Sequence, residues 1–457
     1  MYKRSYLSGI VAYVVLLVFA LWFYKERIIF LDTAFSLFHI IQNNSFTIPV
    51  YRFGNVFNQW LPVLAIKAHM PLGKAVMSYS FGYMLYYFMC YLISGSLLKQ
   101  YKLALVILLL NLLFVTDTFY WVTSELAQSI ALLIVALSFA RSKLLAARGP
   151  VVWIVMAALL ITVAFFHPLA VFVLLYAILF FQLQDDVQLN KKVLNTICGL
   201  FMAVVVIKAG AFRNIYDHNS MSGMKNFITH FPDYFTLYSN RQFLHRCLTV
   251  YYWIPILFAA IVVRYSRSKE WKKLWLFLLA FGGYLLLVNV SFPGPETKAF
   301  YIESLYMPLS VFLALPFIFD VLPLLEKRKL ALPLLLLIMV SGLLRIYNTG
   351  SRYTARLNYE RAILHKYDGI KVIVKATPAD NDTLQMLWGT PYEFWLLSTI
   401  EQHKTASIVI DADPVYRAWA TRLNKSLLVN WGTYPYTGLS VQYFHFTDTT
   451  TGYTLIK

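Results

Sequence analysis

The acidic residues of this chain are few, and several stand where long apolar runs end. In FLDTAFSLFHIIQNNSF, Phe30 to Phe46, Asp32 follows the apolar run YLSGIVAYVVLLVFALWF. On a helix, Asp32, Ser36, His39 and Asn43 share one face, while Leu31, Ala34, Phe35, Phe38 and Ile41 share the other. Two more segments carry the same chemistry. FVTDTFYWVTSELAQS sets Asp117 and Glu125 around a very short turn, and PGPETKAFYIESLY sets Glu296, Lys298 and Glu303 near the start of a later apolar run. A carboxylate kept ionised by Lys or Arg can act as a general base, and Lys298 or Arg52 can hold a phosphate leaving group. Asp32 also reads as a helix N-cap, because Asp before TAFSLF satisfies orphan backbone donors. The Glu or Gln that would complete a capping box is missing.

These residues must be positioned by membrane helices. Of the 457 residues 59% are hydrophobic and 14% charged, against about 25% charged in soluble domains. Apolar runs of roughly 18 residues recur, each long enough to cross a hydrocarbon core of about 30 Å. The expected spans, about 11 in number, are 6–23, 76–97, 103–121, 124–140, 150–166, 168–182, 193–209, 247–263, 274–290, 302–322 and 329–346. The run VVWIVMAALLITVAFFHPLAVFVLLYAILFF is too long for one span, and its His167-Pro168 pair divides it. The first span lacks a small-residue cleavage site and reads as an uncleaved signal anchor. Cys90, Cys198 and Cys247 offer neither a disulfide framework nor metal-ligand spacing.

The net charge of +18 reflects membrane topology rather than nucleic-acid binding. With a cytoplasmic amino terminus, every inside loop is basic: Lys3/Arg4, Lys99/Lys102, Arg141/Lys143/Arg148, Lys191/Lys192, Arg264 to Lys273 and Lys327 to Lys329. The first outer loop, residues 24–74, runs against that rule with Lys25, Arg27, Arg52, Lys67 and Lys74, and an anionic lipid phosphate would supply the reason. After the Asp32 stripe this loop offers a second amphipathic helix. There Val56, Phe57, Trp60, Leu61 and Leu64 stand opposite Asn55, Asn58 and Gln59, so both helices are expected to lie in the membrane interface. From residue 347 to 457 the composition becomes that of a soluble domain. RYTARLNYERAILHKY, PYEFWLLSTIEQ and DPVYRAWATRLN read as helices, and IKVIVKA, ASIVIDA, SLLVNW, VQYFHF and YTLIK as strands, giving a small α/β domain beyond the 1–346 membrane module.

In its first span, the long loop with the early acid of FLDTAF, the two amphipathic helices, the bundle with its HP turn and the outside carboxy-terminal domain, the chain resembles the GT-C superfamily of membrane glycosyltransferases. Within that superfamily it is similar to a bacterial GT-C-like branch. The resemblance covers the spans as architecture, and its motif-level match is Asp32. It implies an all-α polytopic bundle that moves a sugar from a polyprenyl-phosphate carrier to a lipid, glycan or protein acceptor at the outer face of the inner membrane. Asp32 would deprotonate the acceptor hydroxyl. Paired acids often mark this place in the family, but Thr33 follows Asp32 here, so a second acid falls to Asp117 or Glu125 and a divalent metal is left open. Arg52, Lys298, Glu296 and Lys74 are the candidate donor-phosphate or lipid contacts, and His39, His167 and Glu303 the candidate site-lining residues. The competing readings are a transporter or flippase for lipid-linked glycans, a glycan polymerase or ligase, and a degenerate scaffold.

Overall fold

The computed structural model describes residues 2–142, 149–184, 190–212, 223, 225–411 and 424–456. The expected helix DPVYRAWATRLN, save its last residue, and the basic residues Lys143 and Arg148 lie outside the described residues. Seven helices fill the amino-terminal part: α1 (Tyr2–Trp22), α2 (Tyr24–Ile28), α3 (Leu31–Asn43), α4 (Val56–Lys67), α5 (Leu72–Leu92), α6 (Tyr101–Leu110) and α7 (Glu125–Ala140). Helices Pro150–Phe166, Ala170–Gln182, Lys191–Ala211, Tyr238–Thr249, Trp253–Arg267, Trp271–Ser291, Ala299–Leu305 and Met307–Pro316 follow, and a 36-residue helix, Ala331–Lys366, leads into the tail.

The chain is predominantly α-helical, and by length and composition it is a multi-pass membrane protein. Among the described residues six helices are long and apolar enough to cross a membrane: Tyr2–Trp22, Leu72–Leu97, Lys191–Ala211, Trp271–Ser291, Met307–Lys327 and Ala331–Lys366. A seventh span results if Tyr238–Thr249 and Trp253–Arg267, bent by 92° at their junction, are counted together. Six or seven spans of full length are fewer than the expected eleven. Four of the expected spans are helices of 10, 16, 17 and 13 residues, which at about 1.5 Å per residue fall short of a hydrocarbon core of about 30 Å. The span expected over 103–121 stops at Leu110, because the chain then turns through a short 3-10 segment at Asp117–Phe119. The division at His167-Pro168 is as expected, with His167 extended between two helices.

The second helix of the first loop is amphipathic with its polar side turned inward. Asn55, Asn58 and Gln59 are buried, whereas Phe57, Trp60 and Leu64 are 43%, 41% and 54% exposed. Such a face is unfavourable in water and suited to lipid, as the pattern of α4 led one to expect. The first helix, α3, departs from that expectation. It does not lie on the interface but is buried between α4 and the tail, with Leu37, Phe38, Ile40 and Ile41 in the core. Phe38 meets Tyr392, Trp395, Tyr434 and Phe444 of the tail at ring separations of 4.9–5.7 Å. Its apolar stripe matches the apolar face of another part of the chain, which satisfies it better than headgroups would.

The tail is built on two small sheets. In the first, β1 (Val372–Lys375) pairs in parallel with β2 (Ile408–Asp411) on one side and β5 (Thr454–Ile456) on the other; in the second, β3 (Ser426–Val429) and β4 (Gly432–Pro435) form an antiparallel hairpin. The helix Thr390–Gln402 lies between β2 and α3. VQYFHF is not a strand: the amides of Tyr443 and Phe444 both donate to the Ser440 carbonyl, and the resulting turn buries the two rings. The boundary expected at 346/347 falls inside the long helix Ala331–Lys366, so membrane and tail portions share one rigid element.

Candidate active site

Asp32 occupies the first turn of α3, but it does not cap the helix. The N-cap position is Phe30, and the amide of Leu31 donates at 2.6 Å to Oε1 of Glu393 from the tail. Leu31 takes φ +41, a left-handed conformation rare for a bulky side chain. A Cβ added at Gly389 would stand 3.0 Å from the Leu31 Cα, so a side chain there would push on the Leu31 backbone. Arg356 completes the joint. Its fully packed guanidinium contacts Glu360 at 2.6 Å and Glu393 at 2.5 Å, and donates to the Ile29 carbonyl at 3.1 Å.

With its helix fixed in this way, the Asp32 carboxylate points elsewhere. The indole Nε1–H of Trp121 donates to Oδ2 at 3.0 Å, and the half-buried carboxyl is pushed up from an ordinary 3.8 to about 6. Burial is the main cause and the Glu125 carboxylate adds to it, whereas the Trp121 hydrogen bond and the Arg52 cation pull the other way. A carboxylate of that strength is ionised at neutral pH yet basic enough to take a proton from a reacting group.

Glu125 opens α7 beside it. Arg52 pairs with its Oε2, and Asn55 donates to its Oε1 at 3.0 Å. Asn58, on the inward face of α4, donates to the Val122 carbonyl and to Gln128, both at 3.4 Å. Several buried polar atoms in this region have no hydrogen-bond partner: Asn55 Oδ1, Asn58 Oδ1, Gln128 Nε2, Ser124 Oγ and Tyr79 OH. Unpaired polar atoms are costly to bury, and their concentration here marks a place built to meet polar groups. Ser124 also lines a cavity with Tyr83, Tyr87, Asn111 and Thr118.

His167 stands near by. Its Nδ1 accepts the Leu169 amide at 3.2 Å, closing the turn before the next helix, and burial together with the Arg52 and Lys208 cations holds its pKa well below the usual value. Lys208, from the end of Lys191–Ala211, donates to the Ala164 carbonyl at 2.8 Å. Asp32, Glu125, Arg52 and His167 thus form one neighbourhood.

The other candidates lie apart from it. Asp117 binds Arg246 at 2.9 Å, Tyr353 at 3.3 Å and also Arg352. Glu303, fully buried, accepts the amides of Thr116 and Thr118 at 2.7 and 2.8 Å, the hydroxyls of both, and the Tyr251 hydroxyl at 2.7 Å. These two acids anchor the 116–121 segment that carries Trp121, and so position the residue that binds Asp32. Glu296 is exposed and Lys298 half-buried ahead of the helix Ala299–Leu305, and the two do not pair. Lys298 is two residues from Phe300, whose ring packs on Trp121 at 5.0 Å. Lys74 is exposed in the first turn of α5. His39 packs among Phe35, Phe38, Tyr392 and Tyr434, and burial lowers its pKa.

The donor set does not fit a divalent cation. Both Glu125 oxygens are engaged by Arg52 and Asn55, and among the described residues no three His, Cys, Asp or Glu side chains converge. Sequence reasoning missed Trp121, Lys208 and Glu393, because a donor or cap contributed from another segment leaves no local spacing. Comparison with family models, curated proteins and solved structures finds no match to this chain.

Proposed function

We propose that this chain is a membrane glycosyltransferase of GT-C type, transferring a sugar from a polyprenyl-phosphate carrier to an acceptor hydroxyl. The observation that carries the reading is the Asp32 carboxylate, held by Trp121 with its pKa lifted to about 6, next to the Arg52–Glu125 pair and a group of unpartnered polar atoms. In the proposed step, Asp32 takes the acceptor proton as the acceptor oxygen bonds to the anomeric carbon. The bond from that carbon to the phosphate oxygen breaks, and the polyprenyl phosphate leaves with the electron pair. Arg52 and Lys208 supply positive potential for the departing phosphate. The lipid-facing side of α4, with Phe57, Trp60 and Leu64, suits a polyprenyl chain alongside it. The site lies on the outer face of a bacterial inner membrane in this reading. The shorter apolar helices would complete the bundle of about 11 spans by tilting with their neighbours or thinning the bilayer locally.

A transporter reading draws on the 92° break between Tyr238–Thr249 and Trp253–Arg267, beside which Arg246 meets Asp117 and Glu303. Transporters use such breaks to bind ions or substrate. Both acids there are fully engaged, which favours a structural anchor. Reconstituting the protein with a polyprenyl-phosphate sugar and following Asp32-dependent release of polyprenyl phosphate tests the choice. Release from wild type but not from Asp32→Asn supports transfer, and sugar-lipid crossing the bilayer without release supports transport.

A further inference from the structure

Two tryptophans of the tail meet at the surface immediately beside α3. Trp388 and Trp431 have ring centroids 4.8 Å apart and planes inclined by 31°. They come from separate elements, the 3-10 turn Leu387–Gly389 and the β3–β4 hairpin turn. Phe35 abuts both, at 6.2 and 6.0 Å, with its ring edge-on. Trp431 is 73% exposed, a large cost for an indole that the hairpin does not require. Its backbone is also strained: φ is +66, a left-handed value seldom adopted by aromatic residues, while the following Gly432 does not take it. The turn therefore holds an indole outward where glycine or asparagine would be unstrained.

We propose that the Trp388–Trp431 pair is a stacking subsite for a neutral pyranose ring of the acceptor, so that the acceptor is a glycan. The proposal rests on the glycosyltransferase reading. An indole face carries partial negative charge that attracts the C–H groups lining one side of a pyranose ring, and its flat apolar area matches that side in size. Among the described residues no Lys or Arg stands over either indole, so both rings are left to contact a flat ligand face. Its position fits the chemistry. Phe35, against which both indoles rest, follows Asp32 by three residues, about 4.5 Å along the helix axis, so the pair flanks the helix that carries the proposed base.

The test uses the full-length protein in detergent, with cellohexaose and chitohexaose as probes and saturation-transfer NMR from the indole protons as readout. Both hexasaccharides are expected to receive saturation on their ring C–H protons. Trp431→Ala should weaken binding at least fivefold, and Trp431→Phe should restore part of it. Absence of transfer in the wild type, or equal transfer in Trp431→Ala, overturns the proposal. So does a selective loss, in Trp431→Ala, of binding to phosphatidylglycerol vesicles, which would assign the indoles to the membrane. The same samples are analysed for a retained polyprenyl-phosphate sugar. If that lipid is present while the hexasaccharides fail to bind, the subsite falls and the transferase reading stands; the reverse pattern removes the transferase reading and leaves a glycan-binding surface.

Discussion

Glu393 of the tail accepts the backbone amide of Leu31 at 2.6 Å, and through that single hydrogen bond a residue more than three hundred and fifty positions away caps the helix that presents Asp32. The same carboxylate binds Arg356, so the joint is a buried charge network rather than a local cap. Removing Glu393 leaves the Leu31 amide without its acceptor, while Arg356 keeps Glu360 at 2.6 Å, so the loss is that of buried hydrogen bonds rather than of an unpaired charge. Glu393→Ala is expected to destabilise the protein by about 1–3 kcal/mol and to expose the junction between α3 and the tail to limited proteolysis. An unchanged cleavage pattern would show that the tail does not position α3.

Gly389 provides a smaller perturbation of the same joint. Gly389→Ala places a methyl group against the Leu31 backbone, which must shift and carry Asp32 with it. Transfer activity is expected to fall by at least tenfold, with a loss of stability of about 1–3 kcal/mol as for overpacking. Thermal unfolding and turnover, measured on the same preparation, separate the two effects.

Asp32 itself should behave as a group held for function at a cost in stability. Its folded pKa lies above its unfolded value, so the folded chain binds the proton more tightly between about pH 4 and pH 6. Stability contributed by this group is present below pH 4 and is lost as pH rises through 6. Asp32→Asn cannot ionise and is expected to be more stable than wild type at pH 8, by about 1–3 kcal/mol, and equal to it at pH 4. A capping role would give no such difference, since Asn caps as well as Asp.

Trp121 tunes that carboxylate. Its indole hydrogen bond favours the ionised form, so Trp121→Phe should raise the Asp32 pKa further. The acidic limb of the pH–rate profile, expected near pH 6 in the wild type, should move upward by about half a unit to one unit. A profile that keeps its midpoint while losing amplitude would mean that Trp121 serves packing alone.

The inverted polarity of α4 gives a test of the membrane setting. Trp60 is 41% exposed and Asn58 fully buried on the same helix. In a chain where the other tryptophans are replaced by phenylalanine, brominated lipid should quench Trp60 fluorescence strongly, whereas aqueous iodide should not. Quenching by iodide alone would place α4 in water.

How much of this was legible in the sequence varies with the range of the interaction. The polar and apolar faces of α4, the break at His167-Pro168 and the strands β1, β2, β3 and β5 follow from local periodicity and backbone chemistry, and they were read correctly. The nearness of Glu125 and Arg52 to Asp32 was open in the sequence among several acids and cations, because it depends on how α4 and α7 pack. The burial of α3 against the tail was not legible, since an amphipathic stripe looks the same whether lipid or protein covers it. Nor were the helix lengths: hydropathy does not show that the helix from Tyr101 stops at Leu110, ahead of a segment whose Thr116 and Thr118 amides donate to the distant Glu303. Trp121 and Glu393 belong to the same class, visible only when the chain is folded.

The most direct test of the central claim is mass spectrometry of the lipids retained by purified wild type and Asp32→Asn. The expected result is a polyprenyl phosphate in the wild type and enrichment of its sugar-bearing form in the variant, because the donor binds but the acceptor keeps its proton. Bulk phospholipids alone in both proteins would contradict the assignment of this site to a polyprenyl-phosphate sugar, and equal amounts of the sugar-bearing lipid in both would remove Asp32 from the chemistry.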